Sequence, residues 1–303
     1  VRLDGVERRG FLLGAAALLA TGCARVPPSG VTPPGSATPT HTVAPLTLGK
    51  DETLAGAVFA QVLASALAAS GRRAAVTQTQ DGWRAALGHG DLAAVPGYAR
   101  TLWSVLSAKG EPPAADDLLP DLAALLEPDI GLLRVPGVDA SLVWLVTART
   151  AGQGIGSLSR LSGWSRGRRA AIPPIARSRD DGVPALRGVY HAQFTYDDVA
   201  DPVERAALLT RGDVAAAAFR RTEYTGAASL VALVDTEEVA QPDPGVVLVS
   251  QKLSDAEPDR VLLLNDVAQA LTTDVLVELQ AHVVAGGSVD EVAVGWLKEQ
   301  GFA

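Results

Sequence analysis

The chain has 303 residues, 48% hydrophobic and 20% charged, with a formal net charge of −8 and a single cysteine. That apolar share is ample for a large packed core, and the negative balance argues against a nucleic-acid partner. One cysteine excludes an internal disulfide and a thiolate metal cluster, so stability has to come from packing.

The first recognisable element is residues 1–23. Arg8 and Arg9 precede Gly10-Phe11-Leu12, and the apolar run closes at Ala20-Thr21-Gly22-Cys23. Paired arginines supply a charged start, the run is too short to span a bilayer, and small residues before the cysteine leave room for a peptidase. These features predict a lipoprotein export signal of twin-arginine character, with Cys23 as the lipid-attachment site. The expected location is the outer face of the cytoplasmic membrane, held by the N-terminal lipid. Residues 1–23 carry +1, leaving −9 on the remainder. Residues 24–45 are Pro, Ser, Thr and Gly without apolar period, the composition of an extended tether.

At Leu46 the pattern changes. Leu46-Thr47-Leu48 reads as a strand, and Leu54, Val58, Val62 and Leu67 recur about once per turn in a helix over Thr53–Ser70, closed by Gly71. Further strands are predicted over 74–77, 92–95, 131–135, 142–146, 170–172, 214–219, 230–234 and 245–249. Helices are predicted over 98–107, 114–126, 157–161, 202–210, 259–270, 273–284 and 289–299. Short apolar runs alternating with helices predict an α/β body, its sheets covered by helices.

One internal echo stands out. Arg84-Ala85-Ala86-Leu87 leads into Gly90-Asp91-Leu92-Ala93-Ala94, and Arg205-Ala206-Ala207-Leu208 leads into Gly212-Asp213-Val214-Ala215-Ala216. Two such units about 120 residues apart are expected of two similar α/β lobes. Ligands of open α/β sheets bind beyond the carboxyl ends of strands, so two lobes facing each other make a cleft. Tyr98 and Phe219, the aromatics following the two Gly-Asp strands, either approach that cleft from opposite sides or cap the cores of their own strands.

From Leu46 to the C-terminus the chain resembles the substrate-binding proteins of ABC importers for glycine betaine, choline and carnitine. Two segments carry the resemblance: Pro96-Gly97-Tyr98-Ala99-Arg100-Thr101 after the first Gly-Asp strand, and Leu271-Thr272-Thr273 through Leu279 to Val292-Ala293-Val294-Gly295-Trp296-Leu297. It implies an α/β, two-lobed type II periplasmic-binding-protein fold with a hinge and interlobe cleft. The expected division is lobe 1 over 46–136 and 245–303, and lobe 2 over 137–244. It also implies a small-molecule solute, a membrane permease driven by a cytoplasmic ATPase, no cofactor and no enzymatic activity. The expected protein is a monomer.

In the family a cage of rings holds a quaternary ammonium, a cation with no N–H donor, by ring faces and desolvation. Carried over position by position, that cage keeps two rings, Tyr98 and Phe219. Leu142 falls where a third ring stands, after Asp139, Ala140 and Ser141, and Asp243 falls on a fourth. A glutamine of the first helix becomes Glu52. Asp243 is expected to pair with a ligand cation, or with Arg220 or Arg221, while Arg100 borders the same site. Trp103, Trp144 and Tyr224 are further aromatics that a pocket could recruit.

Other readings compete. Gly163-Trp164-Ser165-Arg166-Gly167 matches a nucleophile elbow in letters, but a helix precedes it and an apolar strand follows, the reverse of what an elbow needs; Ser165 is expected in a surface loop. His41, His89, His191 and His282 show no ligand spacing, so no metal is expected. Asp116-Asp117 and Asp180-Asp181 read as solvated pairs without an opposing partner, and Arg166, Arg168 and Arg169 as a solvated loop or a contact to lipid or permease. The same fold without transport, a solute sensor or accessory lipoprotein, is the alternative function.

Overall fold

In this computed structural model the structure describes residues 44–107, 112–227 and 229–303. Arg8, Arg9, Cys23 and the tether to Val43 lie outside the described residues.

The chain begins with β1 (Leu46–Lys50), α1 (Leu54–Ala69), β2 (Ala74–Gln78), α2 (Trp83–His89), β3 (Ala94–Tyr98), α3 (Ala99–Leu106), α4 (Leu118–Leu125) and β4 (Ile130–Asp139). A second set follows: β5 (Leu142–Thr147), α5 (Ala148–Gly152), α6 (Leu161–Trp164), β6 (Arg169–Ile172), α7 (Val183–Gly188), β7 (Thr195–Asp198), α8 (Pro202–Arg211), β8 (Ala216–Arg220) and β9 (Leu230–Ala232). Short 3-10 turns occupy Leu158–Arg160 and Pro174–Arg177. The chain then returns through β10 (Pro244–Ser250), α9 (Gln251–Ala256), α10 (Pro258–Ala270), α11 (Thr273–Val284) and α12 (Val289–Glu299).

These strands make two five-stranded sheets, ordered β2-β1-β3-β10-β4 and β7-β6-β8-β5-β9. The orders are equivalent strand for strand. β3 lies parallel to β1 and antiparallel to β10, and β8 lies parallel to β6 and antiparallel to β5. The sequence echo sits at the matched positions. α2 ends at Gly90 (φ 77°) and α8 at Gly212 (φ 83°), left-handed positions that suit glycine. Asp91 N–H donates to Ala86 O and Asp213 N–H to Leu208 O, both five residues back.

Alternation along the central strand β10 places Val247 and Val249 against α1 and the C-terminal helices, and Val246 and Leu248 against α2, α3 and α4. α1 is apolar nearly all round because it is wrapped by the sheet and α10–α12; Thr53 starts it by accepting from Gly56 N–H at 2.9 Å. In the second sheet Leu142, Trp144 and Val146 of β5 face one core, Val143 and Leu145 the other.

Several elements depart from expectation. β7 and the short α7 and α9 have too few apolar residues to register as periodic, and β4 runs on to Asp139 because Pro244 of β10 pairs with it there. The helix expected over 114–126 is shortened to Leu118–Leu125, and the one over 157–161 divides into a 3-10 turn and α6.

Candidate functional site

Carboxyl ends of strands from both sheets converge on one cavity of about 530 Å³. Asp51, Glu52, Thr53 and Leu54 line it from the turn between β1 and α1. Facing them are Pro173–Ile175 after β6, Ala200–Pro202 between β7 and α8, and Arg220 with Glu223 at the end of β8. Helix α1 starts at this rim with Thr53 as N-cap, and α8 starts there with Asp201, which accepts from Val203 N–H at 3.0 Å. Of the residues expected at the site, Glu52 and Arg220 line the cavity.

Arg220 has its guanidinium carbon 5.5 Å from the centre of the Tyr98 ring. It is 9% exposed, its nearest carboxylate is Asp51 at 4.0 Å, and its Nε has no hydrogen-bond partner among the described residues. Tyr98 beneath it is 3% exposed and packs with Leu48, Val58 and Val247; its hydroxyl is likewise unpartnered. Burial first, and then the charge of Asp51, push the Tyr98 phenol above its ordinary value.

Phe219 lies one residue before Arg220 and points to the opposite face of the strand. There it joins Ala171, Ala206, Leu209, Val214 and Ala217 in a core under α8. The buried Arg205 of α8 stacks on it, guanidinium carbon 5.0 Å from the ring centre. Arg205 is held by Val199 O (2.6 Å), Ala200 O (2.8 Å) and the Glu223 carboxylate. Each of the two rings allotted to a cation therefore already carries a guanidinium of the protein, and neither presents a face to the cavity.

Asp243 is fully buried but is not paired with Arg220 or Arg221. One oxygen accepts from the Arg100 and Thr101 N–H groups at the start of α3 (2.7 and 3.3 Å), the other from Thr101 Oγ1 at 2.8 Å and Arg179 Nη1 at 2.7 Å. Arg179 in turn grips Asp181 with two bonds, Nε to Oδ1 at 2.8 Å and Nη2 to Oδ2 at 2.6 Å. Burial works against the Arg179 charge, but the bond to Asp181 and the charge of Asp243 outweigh it, and its pKa rises. Arg100 reaches across to Asp180 at 3.3 Å. The pair read as solvated carboxylates is thus engaged by two arginines, with Asp181 only 4% exposed. Nothing in Arg177-Ser178-Arg179-Asp180-Asp181 signals that contact, because its partners are 64 and 80 residues away.

The remaining residues knit the passage between the sheets. Asp139 accepts from Ser141 N–H (3.0 Å), Ser141 Oγ (2.8 Å) and Asp243 N–H (2.9 Å), while Arg221 Nε donates to Ser141 Oγ at 2.9 Å. Leu142 is a core residue of the second sheet. Trp103 and Trp144 are also core residues, and Tyr224 is half-buried, its N–H donating to Gln280 Oε1 at 3.3 Å. Ser165 is not in a surface loop: it is fully buried, its Oγ donating to Ser162 O (3.2 Å) and accepting from Gln193 N–H (2.7 Å). Among the described residues no group of three His, Cys, Asp or Glu is placed to hold a metal, and no helix is long and apolar enough to cross a membrane.

No family model and no curated protein sequence matches the chain. Solved structures do. A glycine betaine/carnitine/choline ABC transporter protein is 17% identical with a TM-score of 0.70, covering 85% of this chain and 99% of its own. Apo YehZ from Escherichia coli is 20% identical with a TM-score of 0.65, covering 86% and 100%. An ABC-transporter choline binding protein in complex with choline is 14% identical with a TM-score of 0.61, covering 84% and 88%. The chain has the two-lobed α/β fold of these binding proteins.

Proposed function

We propose that the chain is a lipid-anchored extracytoplasmic solute-binding component of an ABC importer, holding a small charged organic solute in the cavity between its lobes. A single observation carries this reading: one cavity of about 530 Å³, of small-molecule size, is lined from both sheets by residues beyond strand carboxyl ends, with the under-partnered Arg220 in its wall. Solved structures of the same fold are described as ABC transporter proteins. In this reading 46–136 with 245–303 and 137–244 are the two lobes. Only Ala140 and Ser141 separate β4 from β5 at one passage between them, and Asp243 directly precedes β10 at the other. The protein works as a monomer that opens, admits solute and closes.

Thermal shift tests binding, since a ligand that binds only the folded state raises the midpoint in proportion to ln(1 + [L]/Kd). Uptake of a positive solute by cells carrying the chain, lost when Arg220→Gln replaces it, supports import. Binding without uptake supports a sensor or accessory protein. The buried Asp243, which pairs with Arg179 and accepts from the Arg100 and Thr101 N–H groups, together with the Arg100–Asp180 pair, joins 137–244 to 46–136 without any solute and favours that second reading. Cys23→Ser tests the anchor: the substituted protein should move to soluble fractions, and unchanged membrane retention rejects it.

A further inference from the structure

Resting on the cavity as the solute site, we propose that the solute is a zwitterion whose cationic end carries N–H donors, an unmodified amino acid, rather than a quaternary ammonium. The chemistry lining the cavity is the reason. A trimethylammonium group has no donor and is held by ring faces. Here Arg220 covers Tyr98 and Arg205 covers Phe219, and both rings are otherwise enclosed in core. Among the described residues no aromatic side chain lines the cavity.

It offers carboxylates instead. Among the described residues four acidic side chains line it, against one guanidinium. Glu223 is neutralised by Arg205, and Asp51 accepts from Thr53 N–H and Oγ1 with its other oxygen toward Arg220. Glu52 and Asp201 remain, on opposite walls; both are exposed, and neither has an arginine or lysine within ion-pair distance among the described residues. Two carboxylates without counter-charge recognise a cation, and N–H donors convert that attraction into short, directional bonds.

The other end of the ligand is set by Arg220. Its side chain is nine-tenths buried in the cavity wall, its guanidinium makes no hydrogen bond to a described residue, and its nearest carboxylate is at the outer limit of an ion pair. A ligand carboxylate satisfies a guanidinium in that state, in the planar geometry the two groups share. Arg220 for the carboxylate, with Glu52 and Asp201 for the ammonium, define a zwitterion site.

Matched pairs that differ only in N-methylation decide the point: glycine against glycine betaine, β-alanine against its trimethyl form, γ-aminobutyrate against γ-butyrobetaine, each titrated calorimetrically into the full-length chain. The free amine is expected to bind at least about tenfold tighter than its trimethyl partner in the pair whose length fits. Glu52→Gln or Asp201→Asn should shrink that preference, and Arg220→Gln should weaken both members. Equal or tighter binding of the trimethyl compounds overturns the zwitterion assignment and leaves the cavity as a solute site. No heat from any member removes the cavity reading as well.

Discussion

The Arg220 guanidinium carbon stands 5.5 Å from the centre of the Tyr98 ring, and the two residues hold the same place in their respective sheets. Tyr98 is the last residue of β3, eight beyond the helix-ending Gly90; Arg220 is the last residue of β8, eight beyond Gly212. The internal repeat therefore pairs a ring with a cation across the middle of the molecule. The two strand ends meet in an internal cation–π contact, and the residues lining the cavity are left charged or aliphatic.

Removing the phenol oxygen should cost nothing. Among the described residues the buried Tyr98 hydroxyl makes no well-formed hydrogen bond, the nearby Thr222 hydroxyl being unpartnered too, a condition that costs about 1–3 kcal/mol. Tyr98→Phe is expected to leave the urea midpoint unchanged or raise it, whereas Tyr98→Ala should lower stability by about 3–5 kcal/mol through the cavity it opens. A clear loss on Tyr98→Phe shows that the hydroxyl has a partner.

Phe219 should behave as a core residue. Phe219→Ala is expected to lose about 3–5 kcal/mol on denaturant unfolding, since the ring packs under α8 and supports Arg205. Solute affinity, measured by calorimetry where the variant remains folded, should be little changed. A large loss of affinity with full stability places the ring against the ligand.

Breaking the Arg179–Asp243 pair leaves a buried charge without its partner, and Asp243 also accepts the first N–H groups of α3. Asp243→Asn and Arg179→Met should each cost about 3–5 kcal/mol. Combining them should cost less than the sum of the singles, and a double-mutant cycle measures the difference. Strict additivity rules out direct coupling.

Gly182 controls the same loop from the other side. A Cβ there meets the Ala176 carbonyl oxygen at 2.2 Å, a backbone atom that cannot turn aside. Gly182→Ala should lower stability by about 1–3 kcal/mol, as overpacking does, by shifting the segment that carries Arg179 and Asp181. Wild-type stability in this variant implies that the loop relaxes freely.

Asp180 gives a pH dependence opposite to that of most paired carboxylates. Burial first, and the neighbouring Asp181 charge second, raise its pKa above the ordinary value, with Arg100 opposing. The native state then holds this proton to higher pH than the unfolded chain does. The associated stability is fully present below the unfolded value of about 4 and is lost as pH rises through the folded value. Asp180→Asn should flatten that part of the stability–pH curve. An unaltered slope in the variant assigns it to another acid.

Much of the architecture was legible because its signals are local. Thr53, Thr272 and Ser288 start α1, α11 and α12 by accepting from N–H groups three residues ahead, and α11 and α12 occupy the spans their periodicity predicts. The Gly-Asp echo marks matched helix ends because a left-handed residue and the return of the backbone are written within six residues. The short β7 and α7 were invisible for the same reason, since four to six residues contain no complete apolar period.

The site was legible only in part. Glu52 and Arg220 reach the cavity, while Asp51, Pro173–Ile175, Asp201 and Glu223 had no sequence signal of their own. Of the two places open to Tyr98 and Phe219, a cleft or the cores of their own strands, both rings take the core, Phe219 one strand position from the cavity-lining Arg220.

Sequence by itself determined two α/β lobes, their repeat and the turns that close their helices, because each depends on apolar spacing and backbone hydrogen bonds between near neighbours. Which side chains face the cleft, and which carboxylates are already matched by arginine, was decided only by tertiary structure. Strand register sets the first, and the second joins residues as far as 64 and 80 positions apart, whose pairing no local pattern encodes.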